Sequence, residues 1–137
     1  MSTDTTATSG EMIEICAVQA LSVERGAAAL LPDGTQIGVF LLDDGSVHAV
    51  QQYDPYSETN ILSRGLVGTR RITVEDEAHE IPTLASPMYK QTWNLETGEV
   101  LDAAGAQKHP IRVFDTEVRD GVIHVATAPR PLPGSAA

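Results

Sequence analysis

Cysteine is almost absent. The chain has one, Cys16, which excludes a disulfide framework, a cysteine-rich zinc site and an all-cysteine iron–sulfur cluster. Basic residues are also scarce: nine Lys and Arg stand against nineteen Asp and Glu, for a net charge of −10. Phosphate contacts need a basic footprint, so an acidic chain of this kind argues against nucleic acid and anionic membranes as partners. No apolar run approaches the roughly 20 residues that cross a bilayer as a helix. The first ten residues are rich in Ser and Thr and lack the basic start and apolar core of a secretory signal. We read residues 1–10 as a disordered lead. From 129 to 137 the repeated prolines block both helix and sheet hydrogen bonding, and this stretch reads as a disordered tail. The expected folded domain is therefore residues 11–128. Without targeting signals or disulfides, the expected compartment is the cytoplasm.

What the chain does contain points to one β-rich domain. It has 137 residues, 42% of them hydrophobic and 20% charged, which is enough to bury a core without staples. Asp33-Gly34, Asp44-Gly45, Thr97-Gly98 and Asp120-Gly121 each separate apolar or alternating runs, the mark of tight hairpin turns in which Gly supplies a positive φ. Ile13 and Ile15, then Ile37, Val39 and Leu41, then Val47 and Ala49 recur at alternate positions, as do residues from Ile111 to Val118 and from Val122 to Val125. The run from Gly26 to Leu31 is too short for a stable helix and reads as a strand pairing with residues 36–42. The expected class is all-β, an antiparallel sandwich. One stretch breaks the rhythm: from Asp54 to Pro87, Gly, Pro, Ser and Asn are scattered among short apolar pieces, with an acidic cluster at Glu75, Asp76, Glu77 and Glu80. It reads as irregular and as the place for a site, with the acidic cluster a solvated loop.

Catalytic constellations are missing. His48, His79, His109 and His124 form no ligand spacing and read as surface or strand-face residues. Cys16 falls on the polar register of the first strand, with no base nearby in sequence to activate it. There is no nucleophile elbow, no Walker loop and no dinucleotide fingerprint.

Two stretches stand out together. One runs from Ala49 through Gln51-Gln52-Tyr53-Asp54-Pro55-Tyr56 to Leu62-Ser63-Arg64-Gly65. The other runs from Ala85-Ser86-Pro87-Met88-Tyr89-Lys90-Gln91 through Trp93 to Thr97-Gly98. Their frame resembles that of a Rieske domain, which carries a C-P-H loop and a C-P-x-H loop followed by an aromatic residue and a T-G turn. The prolines and the turn are in place. Asp54 stands at the first Cys position, Tyr56 at its His, Ser86 at the second Cys and Tyr89 at the second His. A Rieske [2Fe–2S] centre needs two thiolates and two imidazoles, so the resemblance implies a sandwich with two proline-containing loops at one end and no cluster. Tyr56 and Tyr89 are expected to fill the space a cluster would occupy, with their hydroxyls hydrogen-bonded at the loop tips.

A Rieske frame without ligands is similar to one family in particular, the small subunit of the cytoplasmic NAD(P)H-dependent assimilatory nitrite reductase. The D-P-Y…L-S-R-G and A-S-P-M-Y-K-Q stretches carry that likeness, over about residues 12–128; the segment 70–81 is longer and more acidic than it leads one to expect. The resemblance implies an oxidoreductase subunit without catalysis or cofactor of its own, partnered by a large subunit that holds sirohaem, an iron–sulfur cluster and FAD and reduces nitrite to ammonium. The alternative is a Rieske-like binding module serving a different oxidoreductase. Arg64, Lys90 and Trp93 are candidates for the partner interface, since Arg and Trp are enriched in binding hot spots; Trp93 also reads as a core residue at strand spacing from Gln91 and Leu95.

Overall fold

The computed structural model describes residues 11–88 and 90–132. Among them there is no α-helix, only two single-turn 3-10 segments, Val18–Ala20 and Leu62–Arg64. The strands are β1 (Met12–Ala17), β2 (Ala27–Leu30), β3 (Gln36–Leu41), β4 (Val47–Gln51), β5 (Tyr53–Asp54), β6 (Thr59–Asn60), β7 (Leu66–Val74), β8 (Glu77–Ala85), β9 (Thr92–Asn94), β10 (Val100–Asp102), β11 (Val113–Phe114), β12 (Thr116–Arg119) and β13 (Val122–Ala126). They form sheets in the orders β1-β13-β12, β11-β4-β3-β2 and β10-β9-β8-β7, with the small β5-β6 hairpin beside them. Every pairing between these strands is antiparallel.

The β11-β4-β3-β2 sheet is the middle layer. On β3, Ile37, Val39 and Leu41 join Val47, Ala49, Phe114, Ile123 and Val125 in one core. Phe40 and Leu42, from the opposite face, join Val50, Val113, Leu84, Trp93, Leu95 and Ile111 in a second. Successive strand residues point to opposite faces, so one apolar run feeds two cores. This is why residues 37–42 are continuously buried rather than alternating.

The turns fall where Asp-Gly stands. Gly34, Gly45 and Gly121 have positive φ, and Asp33 and Asp44 each accept the amide of the residue two positions on, Thr35 and Ser46, at 2.9 Å. Gly98 is constrained more tightly. Its φ is +83°, and a Cβ there would lie 2.0 Å from the Ile111 carbonyl oxygen. Its own carbonyl accepts the Ile111 amide at 3.0 Å.

Three expectations are corrected. The stretch from Asp54 to Pro87 is not irregular throughout, because it contains the two longest strands, β7 and β8, paired in register from Leu66↔Ala85 to Val74↔Glu77. The acidic cluster is exposed but is not a loop throughout: Glu75 and Asp76, both at positive φ, make the two-residue turn of that hairpin, and Glu77 and Glu80 lie on β8. Cys16 is not on a polar register: a bulge between Glu14 and Cys16 shifts the pairing, and Cys16 packs half-buried against the first core together with Ile13 and Ile15. Burial pushes its thiol pKa up, opposite to what a nucleophile needs. Residues 1–10 and 133–137, which hold the lead and most of the tail, lie outside the described residues. Contacts continue past the expected boundary at 128: the Arg130 amide donates to Val113 O at 2.8 Å, and its guanidinium pairs with Asp115 at 2.8 Å.

Candidate functional site

Two proline-bearing loops meet at one end of the sandwich. The first is the turn between β5 and β6, Pro55 to Glu58, which the Glu58 amide closes onto Asp54 O at 2.7 Å. The second runs from Ser86 to Lys90 and is closed by the Ser86 amide on Gln91 O at 2.8 Å. Both start alike. Asp54 Oδ1 accepts the Tyr56 amide at 2.8 Å, and Ser86 Oγ accepts the Met88 amide at 3.2 Å. In each case a side-chain oxygen caps the amide two residues on, across a proline that fixes φ.

The loops are joined directly. Ser86 Oγ donates to Asp54 Oδ2 at 2.5 Å, and the two residues are 1% and 0% exposed. Two of the four ligand positions thus form a buried hydrogen bond between the loops. Tyr56, the third, stands over Trp93 and His109, with ring centroids 5.8 and 5.3 Å away. Its hydroxyl donates to Gln107 O at 2.8 Å and accepts the His109 amide at 2.9 Å. Tyr56 therefore fills the space beside the first loop and pins a third one, residues 103–109, as its packing role requires. Tyr89, the fourth position, lies outside the described residues.

This donor set does not fit a [2Fe–2S] cluster. At the described positions it offers one carboxyl and two hydroxyls, where thiolates and imidazoles are required. Those oxygens are already committed, Asp54 and Ser86 to each other and to loop amides, Tyr56 to the third loop. Among the described residues no three His, Cys, Asp or Glu side chains gather as a metal-binding group.

The candidate interface residues separate. Trp93 is fully buried in the second core, and its indole Nε1 donates to His109 O at 2.9 Å. It has no surface to offer a partner, so its interface role is withdrawn in favour of the core one. Arg64 and Lys90 are exposed at the loop end, Lys90 with φ +66° at the close of the second loop.

Sequence reasoning missed the support beneath the first loop. Gln52 and Ser63 are buried and bond each other twice: Gln52 Nε2 donates to Ser63 Oγ at 2.9 Å, and Gln52 Oε1 accepts the Ser63 amide at 2.6 Å. A Cβ on Gly26 would sit 2.3 Å from Ser63 O, so Gly26 lets the chain pass this close. No local signal betrays that network, because its partners are eleven residues apart. The third loop did have a signal, Ala104-Gly105, whose residues both take positive φ. His48, on β4, is half-buried, with Ser46 Oγ 3.0 Å from its Nε2. Burial lowers its pKa against the opposing pull of Glu96 and Asp44, with Arg130 adding to the depression.

The chain is similar to several known proteins. The profile of the Rieske-like [2Fe-2S] domain matches residues 11–126. Part of the nitrite reductase [NAD(P)H] large subunit of Klebsiella oxytoca is 32% identical over 111 residues, which is 81% of this chain and 10% of that protein. The chain thus spans about one tenth the length of that relative. The nitrite reductase (NADH) small subunit of Escherichia coli K12 is 27% identical over 113 residues, 82% of this chain and 94% of that one. A crystal structure of a Mycobacterium tuberculosis protein assigned as an NADH-dependent nitrite reductase small subunit is 37% identical and superposes with a TM-score of 0.71, covering 85% of this chain and 94% of that one.

Proposed function

The chain belongs to the Rieske-like [2Fe-2S] domain family, and from that premise we propose that it is the non-redox small subunit of a cytoplasmic NAD(P)H-dependent nitrite reductase. Its partner is the large subunit, which carries FAD, an iron–sulfur cluster and sirohaem and reduces nitrite to ammonium. This chain holds no cluster and performs no catalysis alone; it supports the large subunit by binding it.

One observation carries the reading of partnership. In Klebsiella oxytoca the segment similar to this chain is part of the large-subunit polypeptide, as one tenth of its length, whereas in Escherichia coli the similar protein is a small subunit of nearly this chain's matched size. A domain found both within a chain and as its separate subunit is one that works in physical association with it. The chemistry agrees: with a carboxyl and hydroxyls at the described ligand positions, the Rieske frame keeps its shape and has no electron to pass.

The test has two arms. The purified chain should be colourless, with iron far below two atoms per chain and no reduced-state EPR signal; a stoichiometric cluster overturns the non-redox claim. A strain lacking this chain, with no duplicate copy, should fail to grow on nitrite as sole nitrogen source. Its extract should regain NAD(P)H-dependent ammonium formation when the chain is added back. Normal growth of that strain overturns the subunit assignment.

A further inference from the structure

Acidic side chains concentrate at one end of the molecule, where Arg70 and Arg71 on β7 are the cations among them and Arg71 pairs with Glu80 at 3.6 Å. That end holds the tip of the β7–β8 hairpin, where Glu75, Asp76 and Glu77 sit with Glu80 on the adjoining strand, and the β3–β4 turn with Asp43 and Asp44. Glu80, Glu96, Asp43 and Asp44 line one shallow pocket there. At the other end lie the two proline loops and the third loop, and the exposed side chains include Arg64, Lys90 and Lys108.

Close contacts and hydrogen bonds bring together the segments that carry these three cations. Arg64 ends the 3-10 turn that follows the first loop, and the next residue, Gly65, packs so closely on Ala85 that an added Cβ would lie 2.5 Å from the Ala85 carbonyl oxygen. Ala85 leads into Ser86, whose carbonyl accepts the Lys90 amide at 3.3 Å. Lys108 stands between Gln107 and His109, both bonded to the Tyr56 hydroxyl. The buried Asp54–Ser86 bond ties these segments together. None of the ion pairs among the described residues involves Arg64, Lys90 or Lys108. In a chain of net charge −10, cations left unpaired at one end are available to a partner.

The same end exposes apolar surface. Tyr53, Leu66 and Met88 are 43%, 72% and 58% exposed. Tyr53 opens β5, which leads into the first loop, Met88 is in the second, and Leu66 pairs with Ala85 just before it. Aromatic residues, Met and Arg are the types enriched at protein interfaces. The acidic neighbours at this end, Glu58 on the first loop and Glu24, which lines one pocket with Arg64 and Leu66, form no ion pair with these cations.

Resting on the subunit reading above, we propose that this end docks on the large subunit, with Tyr53, Leu66 and Met88 at the contact and Arg64, Lys90 and Lys108 meeting an acidic surface. Charge of this kind acts mainly on encounter and orientation and is screened within a Debye length of about 8 Å at physiological salt. The acidic end then faces away from the contact.

The experiment measures binding of the full chain to the purified large subunit of the same organism by interferometry, from low to high NaCl. Wild type should bind, with affinity falling as salt rises. Arg64→Glu, Lys90→Glu and Lys108→Glu together should weaken binding at low salt at least about tenfold, with far-UV circular dichroism unchanged. Glu75→Lys with Glu80→Lys at the opposite end should leave it within about twofold. Loss of binding on Met88→Asp, with the fold retained, would add support for the apolar contact. If the folded triple variant binds as wild type does, the docking surface is wrong and the subunit reading survives. If wild type does not bind the large subunit at all, both fall. If the same cations instead drive self-association in sedimentation, loop end onto acidic end of a second copy, the occupant proposed here is wrong.

Discussion

Replacing Ser86 by Ala removes the side-chain hydrogen bond that, among the described residues, joins the two proline loops directly. Ser86 Oγ donates to Asp54 Oδ2 at 2.5 Å and accepts the Met88 amide at 3.2 Å, and neither Ser86 nor Asp54 is more than 1% exposed. Water cannot readily take the place of the lost hydroxyl. A buried acceptor left without its donor costs about 1–3 kcal/mol, so Ser86→Ala should lower stability by about 2 kcal/mol. For a domain of this size that is roughly 3–6 °C in Tm for each kcal/mol. Asp54→Asn is the natural companion, since its amide oxygen can keep the Tyr56 amide while the other end faces Ser86. A double-mutant cycle over the two sites should then show a coupling of about 1–2 kcal/mol. Urea unfolding followed by Trp93 fluorescence is the assay, as Trp93 is the sole tryptophan and is fully buried. A Ser86→Ala protein within about 0.5 kcal/mol of wild type, with no coupling to Asp54, would refute the claim that this bond holds the loops together.

Gly98→Ala should destabilise the domain by several kcal/mol or prevent folding, because it combines a φ of +83° with a Cβ placed 2.0 Å from the Ile111 oxygen; Gly34→Ala, where φ is +92° but the space is open, should cost only about 1–2 kcal/mol, and equal losses in thermal melts would contradict this. His48 should titrate below the ordinary imidazole value of 6.5 by NMR. Since its pKa is depressed in the folded state, the unfolded chain binds the proton more readily, and the stability His48 lends is present above pH 6.5 and lost as pH falls through the folded value. His48→Gln should therefore flatten the decline of stability in that acidic window, and an unchanged slope would count against it.

Much of the fold is legible because short-range chemistry dictates it. Asp33-Gly34, Asp44-Gly45 and Asp120-Gly121 announce their turns through the φ that Gly alone takes easily, and the strands they join follow. The β7–β8 hairpin was hidden for the same kind of reason. Its turn residues, Glu75 and Asp76, adopt positive φ without a glycine, and Pro82 within β8 argues against a strand. The structure accommodates Pro82 because β9 pairs only with Thr83–Ala85, leaving β7 as the strand partner along the rest of β8. Cys16 was misplaced because a bulge changes the alternation by one residue, which no pattern of apolar residues reveals. The two loops were legible as motifs, Asp54-Pro55-Tyr56 and Ser86-Pro87, but the Gln52–Ser63 bonds beneath them depend on tertiary approach. The core position of Trp93 was legible as spacing and its burial was not.

If the chain holds no cluster, as proposed, the loop end also explains how its Rieske frame persists. Where a cluster is bound, ligands from both loops converge on it, and metal binding contributes directly to folding free energy. In this chain the corresponding positions act on each other. Asp54 and Ser86 close the gap between the loops with one bond, each caps its own loop across a proline, and Tyr56 occupies the adjoining space while fixing residues 107 and 109. The oxygens that make these positions poor iron ligands are the ones that make the loops self-supporting. On the proposed reading a loop end built this way keeps its shape without iron, and the backbone that carries Arg64, Lys90 and Lys108 is set before a partner binds. Binding then spends little on ordering loops, which is the condition under which a modest patch of charge and apolar surface can support a specific contact.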